Sequence, residues 1–138
     1  MVDQEAPAMK LLLDTHVWLW ALDRPEKIDR AVSRHLDDPR NEIFLSPISV
    51  WEAYHMARRK KLRVGPTFSG WLEQVLARIP IREAPFNFAV AAELAGIELP
   101  QSDIGDLFIA ATASVFGLTL VTADEQLLRC SWLKTLAC

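Results

Sequence analysis

Apolar residues along the chain form two alternating kinds of pattern. Short continuous apolar runs are typical of strands buried on both faces of a parallel sheet. They occur at Leu11–Leu13, Ile43–Leu45, Ile79–Ile81 and Leu118–Val121. Periodicity alone does not distinguish such a run from a segment of a buried helix. A further short strand fits between the two cysteines near the C-terminus.

Helical patterns lie between these runs. Ile28–Leu36 has its apolar residues on one stripe. A second helix is predicted to open at Ser46 and Pro47, a capping residue followed by a proline at the first helical position, and to continue to Ala57. The other predicted helices are Thr15–Leu22, Phe68–Leu76, Phe86–Leu94 and Ile104–Phe116. This alternation predicts an α/β fold, with a central parallel sheet of about four to five strands and helices on both faces.

Length and composition are those of one domain. The chain has 138 residues, of which 51% are hydrophobic, enough for a single sizeable core. Residues 1–8 are polar and without periodicity, so we predict a flexible tail there and one domain over residues 9–138. We find no segment apolar enough to span a membrane and no secretion signal. Cys130 and Cys138 form no recognisable disulfide framework, which favours a reduced, cytoplasmic chain.

Four acidic residues fall at or near the ends of the predicted strands. They are Asp14, Glu52, Asp106 and Asp124. Because sites in parallel α/β sheets form at the carboxyl ends of the strands, we expect these side chains to converge. Each close carboxylate pair would cost roughly 4 kcal/mol at about 4 Å, a cost that a divalent cation between them offsets. Oxygen ligands without a cysteine or histidine cluster indicate Mg²⁺ or Mn²⁺, and such ions can promote cleavage of a phosphodiester.

The segments that carry these acids resemble the four signature segments of PIN domains, in the family's order and over nearly the whole chain from Met9 onward. The segments are Leu11–Trp18, Ser46–Glu52, Asp103–Ala113 and Gly117–Asp124. The resemblance implies a Mg²⁺- or Mn²⁺-dependent endoribonuclease that uses a metal-activated water. By the same resemblance Asp14, Glu52, Asp106 and Asp124 are the metal-binding acids and Thr15 lies beside the site. Many relatives carry arginine after the third acid, where this chain has Leu107.

The compact single-domain form resembles the toxins of VapBC-type toxin–antitoxin pairs. That resemblance implies an RNA substrate, a small cognate antitoxin and a homodimer. The sequence adds an argument of its own, because five tryptophans are many for one small domain and aromatic residues are enriched in interfaces. The stretch Val17–Leu22 is apolar all round, and Ser49–Tyr54 is similarly rich. If part of these helices is exposed, the patch marks a surface for a partner.

Each acid also has a purely structural interpretation. Asp14 could cap the helix that begins at Thr15, and Glu52 could complete a capping box with Ser49. Asp103 and Asp106 are three residues apart; we predict that Asp103 caps the helix and that Asp106 is the ligand.

Several other residues also have both a structural and a functional interpretation. Asp124 competes with Glu125 for the fourth position and could simply start a last short helix. His16 is more typical of packing or hydrogen bonding than of a catalytic base. The run of basic residues between Arg58 and Arg63 suits a helix C-terminus, and suits equally a patch that contacts phosphates. The tryptophans are more typical of a core or an interface than of platforms for bases.

Two other classes of protein compete with the nuclease interpretation. A net charge of −3 is not that of a protein that grips nucleic acid by charge alone. A phosphoryl-transfer domain of doubly wound topology also uses an aspartate at a strand end. However, the residue two after Asp14 is His16 rather than the second aspartate of a phosphatase, and no lysine ends the strand before Thr122. A non-catalytic interaction module of the same fold would not need a complete set of acids.

Overall fold

The central sheet has the first strand of the chain, β1 (Lys10–Leu13), in its middle. The structure is a computed structural model, and it describes residues 8–99 and 103–138. Within these residues five strands form one parallel sheet, in the order β3-β2-β1-β4-β5. They are β1 (Lys10–Leu13), β2 (Glu42–Leu45), β3 (Arg82–Glu83), β4 (Thr119–Thr122) and β5 (Thr135–Ala137). All five carboxyl ends therefore lie along the same edge of the sheet.

The helices begin at side chains that satisfy the free N–H groups of their first turns. Ser46 accepts a hydrogen bond from the Ile48 N–H, as the predicted capping position requires, and Asp29 accepts from Ala31. The largest helix ends at Gly117, whose positive φ of 65° is the left-handed conformation that glycine adopts most readily. The helices are α1 (Thr15–Asp23), α2 (Arg30–Asp37), α3 (Pro47–Arg58), α4 (Phe68–Arg78), α5 (Phe88–Leu94), α6 (Ile104–Phe116) and α7 (Glu125–Leu128), with a 3-10 turn at Pro25–Lys27.

The core lies on both faces of the sheet. Successive residues of a strand point to opposite faces. In β1, Leu11 and Leu13 join one apolar cluster with residues of α1 to α4, while Leu12 joins a second cluster with residues of α6 and α7. The predicted fold class, with helices on both faces of a parallel sheet, is thus confirmed.

The strand predicted at Ile79–Ile81 is wrong. The chain pairs instead at Arg82–Glu83, opposite Phe44 and Leu45 of β2. Ile79 is the C-cap of α4, and Pro80 has no N–H to donate to a neighbouring strand. Both residues of β3 are exposed at the edge of the sheet, so they carry no hydrophobic signal.

The short strand between the two cysteines is present as β5. Of the tail predicted over residues 1–8, only Ala8 is described, and the rest lies outside the described residues. In the described parts of the chain, no helix combines the length and apolar character needed to cross a lipid bilayer.

Half of the apolar stretch in α1 is buried in the core. Val17, Trp18 and Leu19 are buried, and the Trp18 ring lies 5.8 Å from the ring of Trp71. Trp20, Ala21 and Leu22 are partly exposed, so only the second half of the stretch is available to a partner. In α3, by contrast, Trp51 is exposed.

Candidate metal centre

The topology gathers the predicted acids at one edge of the sheet. Since β1 has β2 on one side and β4 on the other, a crevice opens at the carboxyl end of β1, where the strand order reverses. An open groove of about 1070 Å³ lies there. All four predicted acids line it: Asp14, Glu52, Asp106 and Asp124. We call these four side chains the acidic end of the groove.

Asp14 is held through both of its carboxylate oxygens. Oδ1 accepts a hydrogen bond from the Thr15 N–H at 2.8 Å, and Oδ2 accepts one from the Thr122 hydroxyl at 2.6 Å. Asp14 is also the N-cap residue of α1, as considered above, but its side chain accepts from the first residue of the helix rather than from the second or third. Only 8% of Asp14 is exposed. Burial raises the pKa of the carboxyl, although both hydrogen bonds act to lower it.

Glu52 is held by a chain of two hydroxyl groups. The Thr15 hydroxyl donates to Oε1 of Glu52 at 2.5 Å and lies 2.8 Å from the hydroxyl of Ser49. Because Thr15 has only one hydroxyl proton, Ser49 is the donor in the second bond. The alternative considered above, a capping box between Ser49 and Glu52, does not form, since the helix is capped by Ser46. Burial, together with the charges of Asp103 and Asp14, raises the pKa of Glu52.

Gly105 leaves the space that the Glu52 carboxylate occupies. A Cβ atom added to Gly105 would overlap Oε2 of Glu52 and would lie 2.9 Å from its Cδ. Gly105 is buried in the first turn of α6. The absence of a side chain there brings the carboxylate of α3 against the N-terminus of α6, next to Asp106.

Asp103 caps α6, as predicted from its spacing to Asp106. Its Oδ1 accepts from the Asp106 N–H at 2.8 Å. Within residues 8–99 and 103–138, the Asp106 carboxyl accepts no hydrogen bond. Burial, followed by the charges of the surrounding acids, raises its pKa to about 7. Asp106 is therefore the carboxyl with the most to gain from a nearby cation.

Asp124 both caps a helix and lines the groove. Its Oδ1 accepts from the N–H groups of Gln126 and Leu127, so the predicted helix start after Asp124 is present. The hydroxyl of Thr122, which donates to Asp14, also accepts from the Asp124 N–H at 3.0 Å. Glu125, the competing acid, does not line the groove and pairs with Arg129 on the surface.

Sequence reasoning missed three residues that position the acids. Ser49 and Thr122 are buried hydroxyl residues, and Gly105 is a buried glycine. A hydroxyl at the carboxyl end of an apolar strand, as at Thr122, is a signal that could have been used, because a buried hydroxyl needs a partner. The contact between Gly105 and Glu52 joins two helices far apart in sequence and has no local signal.

The donor chemistry of the groove fits a hard divalent cation. The candidate ligands are carboxylate oxygens, and both cysteines lie elsewhere. Burial is the main cause that raises the pKa values of Asp14, Glu52 and Asp106, with neighbouring acids adding to it, and a bound cation would favour the charged form of all three. In the described residues, however, no three side chains already form a compact ligand set. Binding thus calls for adjustment of a side chain, and Asp106 is the one that no described hydrogen bond holds.

Comparison with known proteins finds one matching family and several solved structures of the same fold. A family model described as PIN domain matches residues 11–133. Ribonuclease VapC22 of Mycobacterium tuberculosis is 30% identical over 120 residues, which cover 85% of this chain and 88% of that protein. VapBC2 from Rickettsia felis, solved bound to a DNA fragment from its promoter, is similar with a TM-score of 0.67 and 22% identity over 94% of this chain and 99% of that one. VapBC-5 from Mycobacterium tuberculosis, of the VapBC family of toxin–antitoxin systems, is similar with a TM-score of 0.55 and 17% identity over 94% and 98% of the two chains.

Proposed function

The chain belongs to the PIN domain family, and we propose that it is a Mg²⁺- or Mn²⁺-dependent endoribonuclease, the toxin of a toxin–antitoxin pair. One observation carries the proposal. The acids of all four signature segments line a single groove at the carboxyl edge of the sheet. The likeness to Ribonuclease VapC22 supports RNA as the substrate.

In this proposal Asp14, Glu52, Asp106 and Asp124 hold the divalent ion. When bound, the ion would act as a Lewis acid that favours attack of water on phosphorus and stabilises the leaving oxygen. Asp14 is the central ligand, because it is the most buried of the four acids and both of its oxygens are oriented.

The hydroxyl groups around the acids position them and do not react. Thr15 orients Glu52, and Thr122 orients Asp14 while its bond to the Asp124 N–H fixes the start of α7. These bonds preorganise the carboxylates, so that less reorganisation is needed when the substrate phosphate arrives. His16 lines the same groove, but we assign it no proton transfer.

We propose a small antitoxin as the protein partner, and a homodimer as the form of the chain. The similarity to VapBC proteins supports the antitoxin. The homodimer has the support of exposed aromatic residues outside the groove, among them Phe86 and Phe88. The cytoplasm is the proposed location, with two free cysteines as the supporting observation.

Cleavage of RNA by the purified chain tests the proposal. We expect internal cuts in the presence of Mg²⁺ or Mn²⁺ and none in excess chelator. Asp14→Asn should abolish cleavage while the protein remains folded, since the amide has a similar shape and can still accept one of the two hydrogen bonds. The matched control is Asp37→Asn, at an exposed acid outside the groove. Full activity of Asp14→Asn, or cleavage in chelator, would contradict the mechanism.

A further inference from the structure

The end of α3 presents positive charge to the same groove. Arg58, Arg59 and Lys61 line it together with the acids; we call these three residues the basic wall. The segment 58–63 contains five of the chain's 15 lysines and arginines. A chain with a net charge of −3 thus concentrates a third of its lysines and arginines in one segment, and three of these five side chains line the groove.

The basic wall is not neutralised by the protein itself. In the described residues, the ion pairs within 4.0 Å join other side chains and none involves Arg58, Arg59 or Lys61. All three residues are exposed. Arg58 lies over the ring of Tyr54, with its guanidinium carbon 6.0 Å from the ring centre. Their charge is therefore available to an anion that enters the groove.

A strained residue shapes this wall. Lys60 has a φ of 59°, in the left-handed region that usually takes glycine at the end of a helix. Its N–H donates to the Ala57 carbonyl, and the Lys61 N–H donates to the Met56 carbonyl at 2.8 Å. This turn ends α3 and directs the following chain so that Lys61 lines the groove.

An exposed tryptophan lines the same groove as the basic wall and the acidic end. Trp51 precedes Glu52 in α3, lines the groove and is 56% exposed. The ring of His55 contacts the indole edge-on, with 4.1 Å between ring centres. The indole therefore has a supporting neighbour on its own helix and still presents a large area to the groove.

We propose that this surface binds single-stranded RNA, with the basic wall contacting backbone phosphates and Trp51 stacking on an unpaired base. The inference rests on the proposed function and adds the contacts that hold the substrate. The acidic end repels phosphates, so attraction must come from another part of the groove, and the basic wall is charge-complementary to RNA. An exposed aromatic ring favours a single strand, because bases in a duplex are not free to stack on a side chain.

Binding measured without cleavage tests this assignment. The probe is a short fluorescein-labelled single-stranded RNA, and its anisotropy is followed in chelator over a range of salt concentrations. The slope of log affinity against log salt is negative, and the variant Arg58→Gln/Arg59→Gln/Lys61→Gln should make it less steep by about 2, since each phosphate contact on a single strand contributes about −0.7. The matched control, Arg30→Gln/Arg34→Gln/Lys134→Gln, removes the same charge outside the groove and should leave the slope near that of wild type.

The aromatic contact has its own pair of variants. Trp51→Ala should weaken binding roughly tenfold without changing the salt slope, because stacking carries no charge. Trp132→Ala, at a similarly exposed tryptophan outside the groove, should have little effect. A duplex of the same sequence should bind more weakly than the single strand.

Three outcomes would overturn the assignment. One is an unchanged salt slope in the triple groove variant, and another is equal binding by Trp51→Ala and Trp132→Ala. The third concerns poly-glutamate, which serves as a probe for an acidic protein segment. If the triple groove variant lost binding to poly-glutamate but still bound RNA, the basic wall would be assigned to an acidic protein segment. Failure here is distinguishable from failure of the proposed function, because metal-dependent cleavage by the wild-type chain is measured separately.

Discussion

The acidic end and the basic wall of the groove are opposite in construction as well as in charge. The acids are buried or half-buried, and Asp14 and Glu52 are fixed by hydrogen bonds from neighbouring hydroxyls. The cations of the basic wall are exposed and have no carboxylate partner among the described residues. One side of the groove is thus preorganised, and the other is free to adjust.

This difference has an energetic meaning. Carboxylates gathered in a partly buried place destabilise the fold until a cation arrives, which is why the pKa of Asp106 rises to about 7. Exposed lysines and arginines at a helix C-terminus cost little and interact favourably with the helix dipole. Chemistry at phosphorus needs fixed groups, whereas holding a flexible strand needs only charge within reach.

The largest expected effect is on the stability of the metal-free protein. Between about pH 4 and pH 7 the folded chain keeps a proton on Asp106 that the unfolded chain has released. The free energy of unfolding in chelator should therefore fall as the pH rises through this window, by about 2 kcal/mol, since solvent screens part of the effect on this half-exposed group. Asp106→Asn should remove most of that fall and be more stable than wild type above pH 7, as measured by urea unfolding.

Two controls sharpen the contrast. Asp103→Ala removes the N-cap of α6 and should lower stability by about 1 kcal/mol. Neutralising the basic wall should change stability by no more than about 0.5 kcal/mol, as is usual for exposed positions. If Asp106→Asn were destabilising and the basic variant strongly stabilising, the comparison between the two sides would be reversed.

A smaller effect, on activity alone, is expected at Gly105. Gly105→Ala should push the Glu52 carboxylate aside and lower kcat/KM about tenfold, with half-maximal activity at a higher metal concentration. Stability should change little, because alanine is the better helix former while the displaced Glu52 loses its hydrogen bond from Thr15. Gly96→Ala, where the nearest atom would be 3.8 Å away, is the matched control.

Shortening the acid tests the cause of that loss. If overlap with Glu52 is responsible, adding Gly105→Ala to Glu52→Asp should cost little more than Glu52→Asp alone, because the shorter side chain retreats from the added methyl group. Fully additive losses would mean that Gly105 acts in another way.

Much of the fold could be predicted from the sequence because strong local signals agreed. Leu11–Leu13 is an apolar run with Asp14 at its end, and Ser46-Pro47 is a helix start with its cap. The edge strand Arg82–Glu83 could not be found in this way, because both residues are exposed and their pairing depends on β2.

The candidate site was predictable only in part. The four acids could be chosen because each stands at a predicted strand end or in the first turns of a helix, and the topology brings them to one groove. The contacts that orient them could not, since Thr122 meets Asp14 across 108 positions of sequence. Likewise, the helical pattern of Ser49–Tyr54 did not show that Trp51 would be exposed to the groove.

The central claim is that the acidic end binds a divalent ion, and calorimetric titration with Mn²⁺ near pH 7 tests it most directly. The account predicts binding that releases protons, because Asp106 is partly protonated at this pH and must lose its proton to become a ligand. The heat should therefore depend on the ionisation enthalpy of the buffer, and that dependence should vanish in Asp106→Asn. Asp14→Asn should bind far more weakly. Equal affinity of wild type and Asp14→Asn for Mn²⁺, or no binding by the wild type, would contradict the account.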